Sequence, residues 1–231
     1  MSVLIVVAHP DDEVLGVGAT AAALAAHGIP VQACILSGKA DARRNRPDVP
    51  ELQADVYRAQ EILGIGEPIL GDFPNIRFNL VPHLELVQFI ETAIVETQAN
   101  VIFTHHPHDL NNDHLHTSLA CQAAVRLFQR REDIPRLRAL YFMEILSSTD
   151  WSFPGTQHPF LADTFFPIED TLDRKIEALR AYRGVMRDFP HPRSEEILRG
   201  LAVYHGGQAG TRYAEAFQTA FRFCDDFTVG V

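Results

Sequence analysis

The first patterned stretch is an unbroken apolar run, Val3 to Ala8. A run without alternation is what a strand covered on both faces requires. Glu13 to Ala26 reads as a helix, with Asp11 or Asp12 available to cap its start and Gly28 to end it. A second strand is expected at Val31 to Leu36, followed by a polar, basic loop over 37–47. Leu52, Val56, Ala59 and Leu63 recur at i, i+4, i+7 and i+11, which predicts a helix stopped by Gly64. Pro68 to Leu70 is a short strand, and Leu84, Val87, Ile90 and Ile94 mark the next helix. Val101 to Thr104 is a fourth strand. A helix from Asp113 to about Phe128, with Leu115 and Leu119 on one face, and a strand over 137–145 complete the series.

Strand and helix alternate through this region, so the pattern predicts an α/β class: a Rossmann-like, mostly parallel sheet with helices on both faces. After Pro154 the character changes. A helix is legible in TLDRKIEALRAY, but its flanks are rich in Pro, Gly and His. We expect a single domain over 1–231, with a core over 1–149 and a C-terminal extension over 150–231 that covers the strand ends.

Composition narrows the function classes. Apolar residues are 46% of 231 positions, enough for a sizeable core, and the formal net charge is −10. That charge argues against nonspecific contact with nucleic acid or an anionic membrane surface. The three cysteines, Cys34, Cys121 and Cys224, are scattered and odd in number, which suits a reducing cytoplasm and no disulfide framework. The opening apolar run is too short for a membrane span and lacks the features of a signal peptide.

In an open α/β sheet, ligands bind beyond the carboxyl ends of the strands, where strand order reverses. With the order 3-2-1-4-5, strands 1 and 4 are neighbours there. The segments leaving them, AHPDDE and THHPHDLNNDH, are the most His- and Asp-rich in the chain. His9 and Asp12 lie three apart on a turn, so both can aim at one ion, while Asp11 stays available for acid/base work. Imidazole and carboxylate together suit zinc, and a catalytic zinc takes three protein ligands. His114 is the candidate third ligand; His116, two residues on, faces elsewhere. A plainer reading leaves the two aspartates as helix caps. A dinucleotide reading rests on Gly16-x-Gly18-x-x-Ala21, but seven residues separate these glycines from the strand, where such a fingerprint begins. Inside a helix they serve close packing against the sheet.

AHPDDE after a first strand and DLNNDH about a hundred residues later resemble the PIG-L/LmbE-like family of zinc-dependent N-deacetylases. FPNIRFNLVPHLELV (73–87), MEILSSTDW (143–151) and FPHPRSEEILRGLAVYHGGQAGTRYAEAF (189–217) extend the resemblance over nearly the whole chain. It implies that His9, Asp12 and His114 bind Zn2+, with Fe2+ an alternative such a donor set accepts. It also implies that Asp11 is the general base, and that the substrate is a small N-acetylated amino sugar or sugar conjugate giving acetate and a free amine. Many relatives carry His where this chain has Asn111, a position tied to stabilising the tetrahedral intermediate. Asn111 then makes a weaker, neutral contact, or His108 or His191 stands in. Arg43, Glu144 and Arg193 are candidate substrate contacts: a loop cation at the crevice edge, a carboxylate closing the fifth strand, and a cation from the C-terminal cover. The HGGQAG loop (205–210) is a further candidate to close over a ligand. Two rivals remain at this stage, a nucleotide-cofactor binding protein (NAD or FAD) and a non-catalytic sugar-binding protein of the same fold. Homo-oligomerisation is left open.

Overall fold

A computed structural model describes residues 1–39, 48–153 and 158–224. Five parallel strands form the core of the sheet: β1 (Val3–Val7), β2 (Val31–Ile35), β3 (Ile69–Leu70), β4 (Val101–His105) and β5 (Ala139–Met143). Two more, β6 (Thr164–Pro167) and β7 (Ala214–Arg222), come from the C-terminal part and pair antiparallel. The order is β3-β2-β1-β4-β5-β7-β6. The expected reversal therefore falls between β1 and β4, which pair in parallel with Val3 opposite Val101.

β1 is buried at every position, and its side chains divide the core in two. Val3, Ile5 and Val7 enter one cluster with residues of α1 (Asp12–Ala26), α2 (Val49–Leu63) and α5 (Leu172–Ala181). Leu4, Val6 and Ala8 enter the other with α3 (His83–Thr97) and α4 (Asn112–Ala124). This is the period-two alternation of a strand with both faces covered. Gly16, inside α1, allows the helix to lie against β5: a Cβ there would sit 2.3 Å from Met143 Sδ.

α4 is turned differently from what its leucines suggest. Leu119 is 42% exposed, and the inward face carries Asp113, His114, Thr117, Ser118, Ala120, Cys121 and Ala124. Small side chains bring this helix close to the sheet and present its polar first turn to the strand ends. The α-helix stops at Ala124, and a 3-10 segment, Val125–Gln129, completes the span. The C-terminal part reaches the strand ends through the connection between α5 and α6 (Glu195–Ala209), and it also widens the sheet by two strands. Among the described residues no helix is long and apolar enough to cross a membrane. Cys34 and Cys121 are buried free thiols and Cys224 is exposed.

Candidate metal centre

The turn after β1 and the first turn of α4 bring three side chains together. His9, Asp12 and His114 are all buried, and each offers a donor atom within 4.8 Å of the other two. Asp12 Oδ2 lies 3.3 Å from His9 Nδ1 and 3.2 Å from His114 Nε2. It also accepts the His9 backbone N–H at 3.0 Å, which fixes the carboxylate in the turn.

The remaining nitrogen of each ring is occupied. His9 Nε2 is 2.9 Å from Asp113 Oδ2, and His114 Nδ1 is 3.2 Å from Asp109 Oδ1. Asp109 in turn accepts from Thr149 Oγ1 at 2.6 Å, from Ser148 Oγ and from the Asn111 N–H at 2.8 Å. Asp113 accepts the backbone N–H groups of Ile76 and Phe78 at 2.5 and 2.9 Å. Carboxylates on the outer nitrogens select the tautomers that turn a lone pair inward. Those inward atoms, His9 Nδ1 and His114 Nε2, are buried and make no hydrogen bond. Two orphaned imidazole nitrogens beside a carboxylate oxygen are costly unless a cation satisfies them. Their 3.2–3.3 Å spacing from Asp12 matches the edge, about 3.3 Å, of a tetrahedron with metal–ligand bonds of ~2.0–2.1 Å. The residues therefore fit a zinc-type ion.

The electrostatics agree. Burial opposes a charged His114, but the Asp12 and Asp109 carboxylates outweigh it and raise its pKa to about 10. Burial also opposes ionisation of Asp12, yet its histidine neighbours hold its pKa well below the ordinary value. Without metal, a proton on His114 would balance the Asp12 and Asp109 carboxylates, and an ion bound at this cluster would displace it. His105 lies close by, its ring stacked on His114 at 3.9 Å, but its Nε2 accepts the Ala8 N–H at 2.9 Å. Burial and the charge of His114 push its pKa down to about 3, so it stays neutral.

The Asp11 side chain does not cap α1. The residue occupies the N-cap position at φ 97° with no capping hydrogen bond from its side chain, and Asp12 is already in the helix. A left-handed aspartate is held only where its surroundings over-determine it. The constraint here comes from two sides. Glu13 Oε2 accepts the Asp11 N–H at 3.1 Å, and Arg193 Nη1 donates to Asp11 Oδ2 at 3.2 Å. Glu13 is itself fixed by Gln60 Nε2 at 3.0 Å and by the Tyr182 hydroxyl.

The other candidates are placed as follows. Asn111 is the N-cap of α4, its side-chain oxygen accepting the Asp113 N–H at 2.9 Å. Glu144 pairs with His205 Nε2 at 2.6 Å, within the HGGQAG stretch, which is the end of α6 and not a loop. Arg193 turns inward onto Asp11. His108 is exposed and lies 4.9 Å, ring to ring, from His158. His191 is exposed, and its Nδ1 accepts the Arg193 N–H at 3.0 Å. His116 is partly exposed. Arg43 lies outside the described residues. The sequence alone assigns no role to Asp109, Asp113 or Glu13. All three stand inside the motifs it singled out, and their signal was the surplus of carboxylates over ligands.

Comparison with known proteins supports the same grouping. A curated relative, the diacetylchitobiose deacetylase of Thermococcus kodakarensis, is 24% identical over 225 residues, covering 94% of this chain and 82% of that one. The conserved protein TT1542 from Thermus thermophilus superimposes with a TM-score of 0.79 at 26% identity, covering 99% of both chains. GalB, the 4-carboxy-2-hydroxymuconate hydratase of Pseudomonas putida, superimposes at 0.74 with 19% identity over 98% of this chain and 99% of that one, a likeness of fold alone. The family described as PIG-L, GlcNAc-PI de-N-acetylase, matches residues 4–125, more than half of the chain and the span that holds all three candidate ligands. With its motif residues gathered into one buried, cation-demanding cluster, the chain belongs to the PIG-L family.

Proposed function

We propose that this chain is a metal-dependent N-deacetylase that releases acetate from an N-acetylated amino sugar or a sugar conjugate. The observation that carries the reading is the pair of buried, unpartnered nitrogens, His9 Nδ1 and His114 Nε2, facing Asp12 with a further carboxylate, Asp11, next in the chain. A donor set alone would suit a binding site. The adjacent carboxylate in a strained, doubly held conformation suits a group that handles protons.

His9, Asp12 and His114 would hold the ion. When bound, Zn2+, or another divalent metal such as Fe2+, supplies Lewis acidity toward water and the amide carbonyl. Asp109 and Asp113 keep the two imidazoles in the tautomers that ligation needs. Asp11 accepts a proton from the attacking water at its carboxylate. It then delivers that proton to the leaving nitrogen, since an amine expelled as an anion is a very poor leaving group. The Asn111 side-chain oxygen is committed to the helix cap, which leaves its amide N–H groups as neutral donors toward the substrate oxygen. We read the whole chain as one domain working on a small substrate in the cytoplasm, in keeping with its unpaired cysteines.

The test is metal analysis paired with turnover on a panel of N-acetylglucosamine derivatives. Asp11→Asn should keep the metal and lose roughly 10²–10⁴-fold in kcat, whereas Asp12→Ala should lose the metal. A protein that carries no divalent ion and is indifferent to chelators would overturn the reading. Full activity in both variants would overturn the assignment of roles.

A further inference from the structure

The sequence makes Arg193 a candidate substrate contact, because it lies in the cover over the strand ends. Its side chain is spoken for. Nη1 donates to Asp11 Oδ2 at 3.2 Å across 182 residues of chain. Nε donates to Ser147 Oγ at 2.8 Å and, more weakly, to Leu146 O at 3.4 Å. The residue is only 8% exposed. A guanidinium so deeply buried is stable only with its charge matched and its donors engaged, and a carboxylate does both. Two of its partners, Asp11 at φ 97° and Ser147 at φ 71°, are non-glycine residues in left-handed backbone. The connection between α5 and α6 thus reaches two strained points at once, one after β1 and one after β5.

We propose that Arg193 is a positioning residue for Asp11, fixing the direction of its carboxylate next in the chain to the candidate ligand Asp12. Glu13 holds the Asp11 backbone and Arg193 holds its side chain, so neither φ nor χ1 is free to relax. Lys could supply the charge but not the planar fork that grips Asp11 and Ser147 together. The functional weight of this inference rests on the deacetylase reading, because only there does a displacement of Asp11 by an ångström slow the chemistry.

Two measurements test it. In steady-state kinetics Arg193→Ala should lower kcat roughly 10–100-fold with KM and metal content unchanged. Added guanidinium should restore part of the loss, and Arg193→Lys should lie between. A raised KM with unchanged kcat would make Arg193 a substrate contact. A lowered Tm with unchanged kcat would make it a purely structural pair. Either result overturns the proposal. The second measurement needs no turnover: a thermal-unfolding cycle of Arg193→Gln, Asp11→Ala and the double variant in metal-free protein. Coupled sites lose less Tm together than the sum of the two single losses, and strict additivity overturns the pairing. If the cycle shows coupling but the wild type hydrolyses no amide, the deacetylase reading fails and the positioning of Asp11 stands.

Discussion

Asp113 Oδ2 stands 2.9 Å from His9 Nε2, while the next residue in the chain, His114, points its own Nε2 at Asp12. One dipeptide at the start of α4 therefore supplies a candidate ligand and the partner that orients the other histidine. Burial disfavours a charged Asp113, but His9 and the Phe78 and Ile76 N–H groups overcome it and hold its pKa below the ordinary value. The carboxylate is thus ionised at neutral pH and accepts from His9, Ile76 and Phe78, and more weakly from Asn112 Nδ2 at 3.4 Å. His9 is left with its Nδ1 lone pair facing inward.

Replacing Asp113 should be felt first in metal affinity. Asp113→Ala frees the His9 ring to change tautomer or swing, and the expected loss is about 10–100-fold. Asp113→Asn is not a mild change, because its NH₂ group meets donors either at Ile76 N and His9 Nε2, which share Oδ2, or at Phe78 N, which bonds Oδ1. Competition titration against a chelator measures the affinity, and circular dichroism checks the fold. Unchanged affinity in a folded Asp113→Ala variant would show that His9 is oriented by something else.

Glu13 predicts a pH-dependent stability. Burial, reinforced by the charges of Asp11 and Asp12 and opposed by Tyr182, raises its pKa from 4.5 to about 8. The folded state favours the protonated acid, so this contribution is present below 4.5 and is lost as pH rises toward about 8. The slope for one such group is about 1.4 kcal/mol per pH unit. Glu13→Gln should flatten that part of the stability profile and keep the fold. Gln60 can flip to accept from the new amide, because its Oε1 has no hydrogen bond now. Denaturant titrations of both proteins across this pH range decide it, and parallel profiles would exclude Glu13 as the titrating group.

The parts of the fold that repeat were legible from the sequence. β1, β2, β4 and β5 announced themselves as apolar runs, and their parallel pairing followed from the alternation with helices. The gathering of His9, Asp12 and His114 was legible too, since they leave adjacent parallel strands. The antiparallel edge was not. β6 is four residues ending in Pro167, and β7 alternates only weakly beside the glycine-rich end of α6. The polar pairings were equally hidden, because Asp109 and Ser148, Glu144 and His205, or Asp11 and Arg193 are neighbours only once the sheet has formed. The leucines of α4 misled for a related reason. Its buried face is chosen by the site and by small residues, so Leu119 is left outside.

Gly16 is a packing residue whose substitution separates two effects. Alanine gains about 1 kcal/mol of helix propensity over glycine. Its Cβ would sit 2.3 Å from Met143 Sδ and 2.9 Å from Ile145 Cδ1, and overpacking of this kind costs about 1–3 kcal/mol. We expect Gly16→Ala to be destabilised and Gly16→Val more so, with Met143→Ala relieving part of the clash in the double variant. A Gly16→Ala protein more stable than wild type would mean that Met143 moves aside freely.

The Glu144–His205 pair gives the last prediction. Burial works against a charged His205, but its Nε2 faces Glu144 at 2.6 Å and its Nδ1 faces Gln208 Oε1 at 2.9 Å. Two acceptors on one ring favour the imidazolium, and its pKa is raised above 6.5 despite Lys175 nearby. The stabilisation is therefore fully present below 6.5 and is lost as pH climbs through the higher folded value. A partly buried charge-assisted bond of this kind is worth about 1.5–3 kcal/mol. Thermal melts should show His205→Gln least stable relative to wild type on the acid side, with the gap closing as pH rises. A gap independent of pH would mean that the ring is neutral throughout. The same pair decides the role of Glu144. If its carboxylate serves His205, Glu144→Gln lowers Tm and leaves KM unchanged. A raised KM with an unchanged Tm would instead make it a substrate contact.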